Sequence, residues 1–349
     1  MNEELLKLRV VDLIAETPDT KTIVLEPADG RAVSYRAGQF LTLLFQHGGH
    51  EVRRSYSMSS TPGLDPYLTL TIKRVENGEI SRYLLDHLRV GDELDSLPPA
   101  GRFTFDSDPD YRRDIVLIGA GSGITPLFAL LKQVLSEEPQ SHVTLLDCNT
   151  GERNIIFRKQ LDALQRQHPD RFTLIHLLSR PSDEWTGRRG RLNNWLLEKM
   201  LPELTRFDRA AARWYLCGPF TFMRTVQITL VYAGIRREAI RKENFVIEPV
   251  TATPPPELAR NHRILLRFRG KEYDIDVPAY KSVLQAALDH GVRLPYSCRG
   301  GRCSSCTARC VSGSVYMTIN DVLTEQDVAE GWVLTCTGYP QAENVVLEV

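Results

Sequence analysis

The sequence predicts a multidomain fold: an antiparallel β-barrel over residues 1–108, an α/β domain with a parallel sheet over 109–247 and, past a proline-rich linker at 248–261, a small α+β domain over 262–349. Three observations carry this. The first hundred residues run in short alternating polar–apolar segments broken by turn residues. The next stretch alternates apolar strand-like runs with helical ones. The last crowds five of the seven cysteines between Cys298 and Cys336. A chain of 349 residues is also too long for one compact core.

In the first part the strand candidates are LKLRVVDLIAET, TKTIVLEP, FLTLLFQ, RRSYSMSS and LTLTIKRV. Turn signals separate them at Pro27–Gly30, Gly48-Gly49, Pro62-Gly63 and Asn77-Gly78, and ISRYLLDHL is a helical patch. On an extended strand Arg54 and Tyr56 share a face. A guanidinium there can clamp a phosphate while a phenol ring lies on a flat ligand. Gly78-Glu79-Ile80-Ser81 is a turn entering a helix, with amides and a hydroxyl suited to an anion. Plainer readings stand beside these: a surface ion pair, barrel packing and a helix cap.

In the second part the strand candidates are IVLIGA, HVTLLDC, RFTLIHLLS and ARWYLCG. Helical candidates are LFALLKQVLSE, IIFRKQLDALQRQ, LNNWLLEKML and FTFMRTVQITLVYAG. The first strand runs into Gly119-Ala120-Gly121-Ser122-Gly123-Ile124-Thr125-Pro126. Glycines there allow a phosphate close to a helix N-terminus, although the spacing is not G-x-G-x-x-G and also suits a plain tight turn. Cys217-Gly218-Pro219-Phe220 ends the last strand, where Cys217 reads as a site thiol or as packing. Ser179-Arg180, Arg188 and Arg189 follow RFTLIHLLS and suit a 2′-phosphate or a solvated loop.

In the third part RILLRFRGKEYDIDV reads as a hairpin, SVLQAALDHGV as a helix capped by Ser282, and LTEQDVAEG as a helix capped by Thr324. The loop LPYSCRGGRCSSC places Cys298, Cys303 and Cys306 as C-x4-C-x2-C. Cys336 follows on the run WVLTC. This is the ligand spacing of a plant-type [2Fe–2S] cluster, with Gly300 and Gly301 letting the loop bend. A structural zinc or disulfides are the alternatives, the first favouring paired C-x2-C knuckles and the second an oxidising compartment. Cys310 reads as a small buried side chain.

A net charge of −1 with no concentrated basic face predicts no nucleic-acid partner. The N-terminus MNEELLKLRVVDL has no apolar signal region, and no run is long enough to span a bilayer. With an odd cysteine count, a cytoplasmic location is the expectation.

RSYS at 54–57, GEIS at 78–81 and the trailing GDELDSLPPAGRF together resemble the flavin barrel of the ferredoxin–NADP reductase superfamily. GAGSGITP and CGPF resemble the nicotinamide loops of that family, and residues 262–349 resemble a β-grasp ferredoxin. The resemblance covers nearly the whole chain, in the order found in reductase components of multicomponent oxygenases. It implies FAD, or FMN as in one branch. By it, Arg54, Gly78 and Ser81 lie at the flavin pyrophosphate, and Tyr56 and Ser57 lie at the isoalloxazine. Gly119, Gly121, Gly123 and Thr125 lie at NAD(P)H, and Cys217, Gly218 and Pro219 near the nicotinamide. Phe245 covers the flavin, and Ser179, Arg180 and Arg188 lean the choice towards NADPH. The implied activity is electron transfer from NAD(P)H through FAD and [2Fe–2S] to a protein acceptor, an oxygenase component such as a phenylacetyl-CoA epoxidase. Other acceptors are a hybrid-cluster protein, a ketosteroid hydroxylase or a desaturase, and a redox sensor is the non-enzymatic alternative. One departure is Cys148-Asn149-Thr150, where relatives often read G-N-R.

Overall fold

The computed structural model describes residues 5–47, 49–245, 254–255 and 260–349. Gly48 and most of the expected linker at 248–261 lie outside these residues. The chain divides into two compact units, one ending at Glu243 and one beginning at Asn244.

The first unit holds two six-stranded sheets. The N-terminal sheet comprises β1 (Leu6–Thr17), β2 (Thr20–Pro27), β3 (Phe40–His47), β4 (His50–Ser57), β5 (Leu68–Lys73) and β6 (Glu93–Ser96), with helix α1 (Glu79–His87) between the last two. Its order is β4-β3-β6-β1-β2-β5 and every pair is antiparallel. Met58, just past β4, bridges to Leu70 in β5, so the sheet curls closed at its two edges, as a barrel requires. The alternating runs send Leu8, Leu25, Leu41, Leu43 and Leu70 inward to full burial.

The second sheet alternates with helices: β7 (Asp114–Ala120), α2 (Ile124–Glu137), β8 (His142–Asn149), α3 (Arg158–Gln167), β9 (Phe172–Leu178), β10 (Arg188–Arg189), α4 (Asn194–Leu204), β11 (Arg213–Cys217), α5 (Phe220–Tyr232) and β12 (Ile240–Glu243). All its pairs are parallel, in the order β10-β9-β8-β7-β11-β12. The order reverses between β7 and β11, which opens a crevice at their carboxyl ends. One expected helix is shorter than its pattern: α3 begins at Arg158, not Ile155. Phe157 takes a left-handed conformation (φ 59°) and stacks on Phe128 with ring centroids 4.3 Å apart. Tertiary packing there overrides helical periodicity.

The two sheets are tied together within this unit. Thr61 Oγ1 donates to the carbonyl of Ala129 in α2 at 2.9 Å, and Lys132 of α2 pairs with Asp65. Tyr215 donates its hydroxyl to the carbonyl of Thr104 at 3.2 Å.

The C-terminal unit is built on β13 (His262–Phe268), β14 (Lys271–Val277), α6 (Val283–Asp289), β15 (Thr307–Ser312), β16 (Val315–Met317), α7 (Glu325–Ala329), β17 (Trp332–Leu334), β18 (Gly338–Pro340) and β19 (Val346–Glu348). Five strands form a mixed sheet in the order β14-β13-β19-β15-β17, and β16 pairs with β18 apart from it. Val283, Leu284, Ala286 and Ala287 of α6 join its core, which is the expected β-grasp layering. Ser282 caps α6, and Thr324 with Asp327 forms a capping box on α7. No helix among the described residues is long and apolar enough to cross a membrane.

At the amino end of β7 the fully buried Asp114 closes off the loop after α4. Its carboxylate accepts from the amides of Arg206 (3.0 Å) and Phe207 (2.6 Å) and lies 3.5 Å from His142 Nδ1. Burial pushes this carboxyl up, but His142 and the two amides outweigh it and hold the group below its usual value. A depressed carboxylate stabilises the fold fully above the unfolded value near 4, and the contribution fades as pH falls through the folded value. We expect Asp114→Asn to cost about 1–3 kcal/mol at neutral pH. Thermal unfolding checks this, and the gap to the parent protein should narrow on acidification to about pH 3.

Candidate functional site

The structure distributes the expected site residues over three places. On β4, Leu43 faces Arg54 and Leu41 faces Tyr56 across the β3 pairing, so Arg54 and Tyr56 share one face, as the two-residue period demands. Both are half-buried and Ser57 is buried. Burial pushes the Tyr56 phenol up while Arg54 pulls it the other way, which records how close the two lie. The Arg54 Nη1 donates to the carbonyl of Arg53 at 2.8 Å. Gly78 starts α1 with no side-chain cap, and Ser81 Oγ braces the turn by accepting from Val75 N (3.1 Å) and donating to Gly78 O (3.2 Å). The N-cap position of α1 carries no side-chain cap, which is the kind of helix start that can receive an anion such as a flavin pyrophosphate.

The second place is the crevice at the carboxyl ends of β7 and β11. Gly119 pairs with Cys217, and Gly121 takes φ +56°. Gly123 decides the geometry: a Cβ there would stand 2.1 Å from the carbonyl oxygen of Cys217 and 2.7 Å from the amide of Gly218. The phosphate-type turn and the CGPF loop therefore meet backbone to backbone. Pro219 caps α5. Cys217 is fully buried, and burial first, then the Glu243 carboxylate, raises its thiol well above the ordinary value. It is a neutral thiol, not a nucleophile. Thr125 is buried and its hydroxyl donates to Thr71 O in β5 at 3.5 Å, which sets the crevice against the barrel. The departure from the family pattern is structural as well: Cys148 and Asn149 end β8, and burial raises the Cys148 thiol.

At the end of β9 the arginines differ in what they do. Ser179 and Arg180 donate their amides to Asn149 O (3.0 Å) and Thr150 O (2.7 Å), and the Arg180 side chain is exposed. Arg188, expected at a 2′-phosphate, is ion-paired with Glu203. Arg189 donates to the carbonyls of Ser182, Asp183 and Trp185 and so holds its own loop. Phe245 is half-buried and follows β12 in the second unit.

The third place is the cysteine loop. Cys298, Cys303, Cys306 and Cys336 are buried, and all seven cysteines are free thiols. Cys336 lies in the turn after β17, not on the strand. The thiols fall into two pairs, Cys298 with Cys303 and Cys306 with Cys336. Among the described residues no three His, Cys, Asp or Glu side chains converge on one ion. Cys306 also lies within electrostatic reach of Cys298 and Cys303, so the four thiols form one group, and their C-x4-C-x2-C spacing fits a two-iron centre. The amide of Gly300 points at the Cys298 sulfur (3.4 Å) and that of Cys298 at the Cys303 sulfur (3.4 Å). Cys298 is pulled down to about 6, by Cys303 first and then by the amides of Gly300, Arg302 and Cys303. Gly301, at φ +72°, holds the loop against Ile319, whose carbonyl oxygen would stand 2.4 Å from an added Cβ. Cys310 is half-buried, more open than its pattern suggested.

Comparison with known proteins identifies three domain types. Family models match an oxidoreductase FAD-binding domain at residues 7–105, an oxidoreductase NAD-binding domain at 117–228 and a 2Fe-2S iron-sulfur cluster binding domain at 266–341. A component of the 1,2-phenylacetyl-CoA epoxidase of Escherichia coli (strain K12) is 31% identical over 98% of this chain and 96% of its own. The chain belongs to the ferredoxin–NADP reductase superfamily, in its oxygenase-reductase branch. The ferredoxin reductase component of 3-ketosteroid-9-alpha-monooxygenase from Mycolicibacterium smegmatis is 32% identical over 99% of this chain and 97% of its own. Phthalate dioxygenase reductase shares the fold, with a TM-score of 0.59 at 20% identity over 99% of this chain and 98% of its own. The reductase thus has FAD-binding, NAD-binding and 2Fe-2S domains.

The groups of residues that matter most had different visibility in the sequence. The cysteines and glycines were readable by spacing. A trio of Asp147, Asn149 and His176, the first two buried, was not singled out, although an aspartate inside the apolar run HVTLLDC was a signal.

Two outcomes check this geometry. Gly301→Ala should yield protein with normal flavin but little iron and acid-labile sulfide, because the clash is with backbone. Cys217 in the folded reductase should resist iodoacetamide at pH 8 and react on unfolding; rapid labelling of the native protein would contradict the buried, neutral thiol.

Proposed function

We propose that the reductase moves electrons from NAD(P)H to an oxygenase component, with acceptors of the kind served by its phenylacetyl-CoA epoxidase and ketosteroid monooxygenase relatives. The observation that carries this is the co-occurrence in one chain of a nucleotide crevice, a flavin-type barrel face and two pairs of buried thiols. When bound, FAD takes a hydride's two electrons together and releases them singly, and a [2Fe–2S] cluster takes one at a time.

The chain's residues do the positioning. Arg54 and the amides after Gly78 hold the flavin pyrophosphate, with Ser81 keeping that turn in shape. Tyr56 and Ser57 flank the isoalloxazine. Gly119, Gly121 and Gly123 admit the nicotinamide dinucleotide close to backbone, and Cys217, Gly218 and Pro219 shape the pocket for the ring. Cys217, being neutral and desolvated, adds no charge beside the transferred hydride and excludes water. Cys298 and Cys303 hold one iron and Cys306 and Cys336 the other, while the loop amides stabilise charge on the sulfurs. The domain limits 1–108, 109–247 and 262–349 belong to the same reading. Seven free thiols favour a reducing cytoplasm as its setting.

Anaerobic mixing with NADH or NADPH tests this. Flavin absorbance should bleach, and the signal of a reduced [2Fe–2S] cluster should follow in electron paramagnetic resonance. Cys336→Ser should keep NADH–ferricyanide activity but lower transfer to cytochrome c by about tenfold or more. Absence of bleaching with either nucleotide would leave a redox module without turnover.

A further inference from the structure

Asp147, Asn149 and His176 form a polar cluster with no part in the proposed electron path. Asp147 is fully buried near the end of β8. Its Oδ2 accepts from Asn149 Nδ2 at 2.8 Å and faces His176 Nδ1 at 3.0 Å. The other carboxylate oxygen, Oδ1, and His176 Nε2 are buried and have no hydrogen-bond partner. Buried polar atoms are almost always satisfied, so two orphans on one such pair of side chains need something to meet them.

Their place in the sheet suggests what that is. Asp147 pairs with Gly119 across β7 and β8, and His176 pairs with Asp147 across β8 and β9. Strand spacing puts them about 5 and 10 Å from the glycine turn. Cys217 lies on the opposite side of β7. A dinucleotide with its pyrophosphate at the turn and its nicotinamide towards Cys217 must run its adenosine ribose towards β8 and β9.

The chemistry matches a diol. A carboxylate at Asp147 takes the Nδ1–H of His176, which leaves Nε2 on the far side of the ring and Oδ1 of the carboxylate as two acceptors. The ribose 2′- and 3′-hydroxyls bring two donors. A 2′-phosphate replaces one donor with negative charge next to a carboxylate. Of the arginines that would offset that charge, Arg188 is paired with Glu203 and Arg189 with loop carbonyls, leaving Arg180 exposed.

We propose that Asp147 and His176 bind the adenosine ribose hydroxyls and make NADH the preferred donor. The assignment rests on the nicotinamide-reductase reading above. It reverses the NADPH leaning of the sequence. The indole of Trp185 stands edge-on to His176 with centroids 6.3 Å apart, so its emission reports on a ligand arriving at His176.

The test uses the full-length holoprotein and calorimetric titration with NAD+ and NADP+, with tryptophan fluorescence recorded in parallel. NAD+ should bind about tenfold or more tightly than NADP+. Asp147→Asn should weaken NAD+ by about tenfold and NADP+ much less. His176→Gln, which keeps an acceptor, should retain more NAD+ affinity than His176→Leu, and unchanged flavin and cluster spectra would certify the fold of each. The NAD+-induced fluorescence change should vanish in Trp185→Phe. Equal or tighter binding of NADP+, or an Asp147→Asn variant with parental NAD+ affinity, overturns the assignment and leaves the pair holding only a buried water. If neither nucleotide bleaches the flavin of the parent protein, the reductase reading itself has failed; if both bleach it and bind equally, only the ribose assignment has.

Discussion

The N-terminal unit depends on a contact that contains no side chain. Gly123 lies so close to the backbone of Cys217 and Gly218 that a methyl group has no room. That approach brings the turn after β7 and the end of β11 to one crevice, at the point where the strand order reverses. The same helix that begins there, α2, receives Thr61 and Asp65 from the loop that leaves the RSYS strand. So the segment proposed to touch the flavin and the helix proposed to receive the dinucleotide are anchored to each other through two residues. A hydride moves only over a short distance, and this is how the chain sets one without a rigid single sheet.

The cysteine unit solves a different problem. Four thiolates in one loop and one turn would repel each other strongly unless metal took up the charge. The polypeptide prepares for this before any metal is considered: amides of Gly300, Arg302 and Cys303 already converge on the Cys298 sulfur. The β-grasp sheet contributes rigidity. Leu334 and Ala308 are almost fully buried in the same core as Cys336 and Cys306, so that pair is anchored in the packed interior.

How far these features could be read in advance follows from their range. Barrel strands and the parallel sheet showed as periods of two and as alternation, because burial on one face or both leaves that imprint locally. Cysteine spacing carried the cluster because ligand geometry is written into short separations. What stayed hidden depends on contacts distant in sequence. The start of α3 is decided by Phe128 stacking on Phe157, some thirty residues away. Arg188 looked free for a phosphate until the fold brought Glu203 to it. That the four thiols divide as Cys298–Cys303 and Cys306–Cys336 also required the turn after β17 to close back on the loop.

A carboxylate buried in an otherwise apolar parallel strand goes against the rule that such strands are hydrophobic throughout. Asp114 and Asp147 both break it, and their surroundings separate them. Asp114 receives the Arg206 and Phe207 amides on both of its oxygens, which accounts for its presence as a structural clasp at the amino end of β7. Asp147 has one oxygen satisfied and one not, and it stands at the opposite, carboxyl end of the sheet. Parallel sheets bind ligands at that end and not at the other. The contrast between a completed and an incomplete hydrogen-bond shell, one at each edge of the same sheet, therefore distinguishes a carboxylate kept for folding from one kept for a substrate.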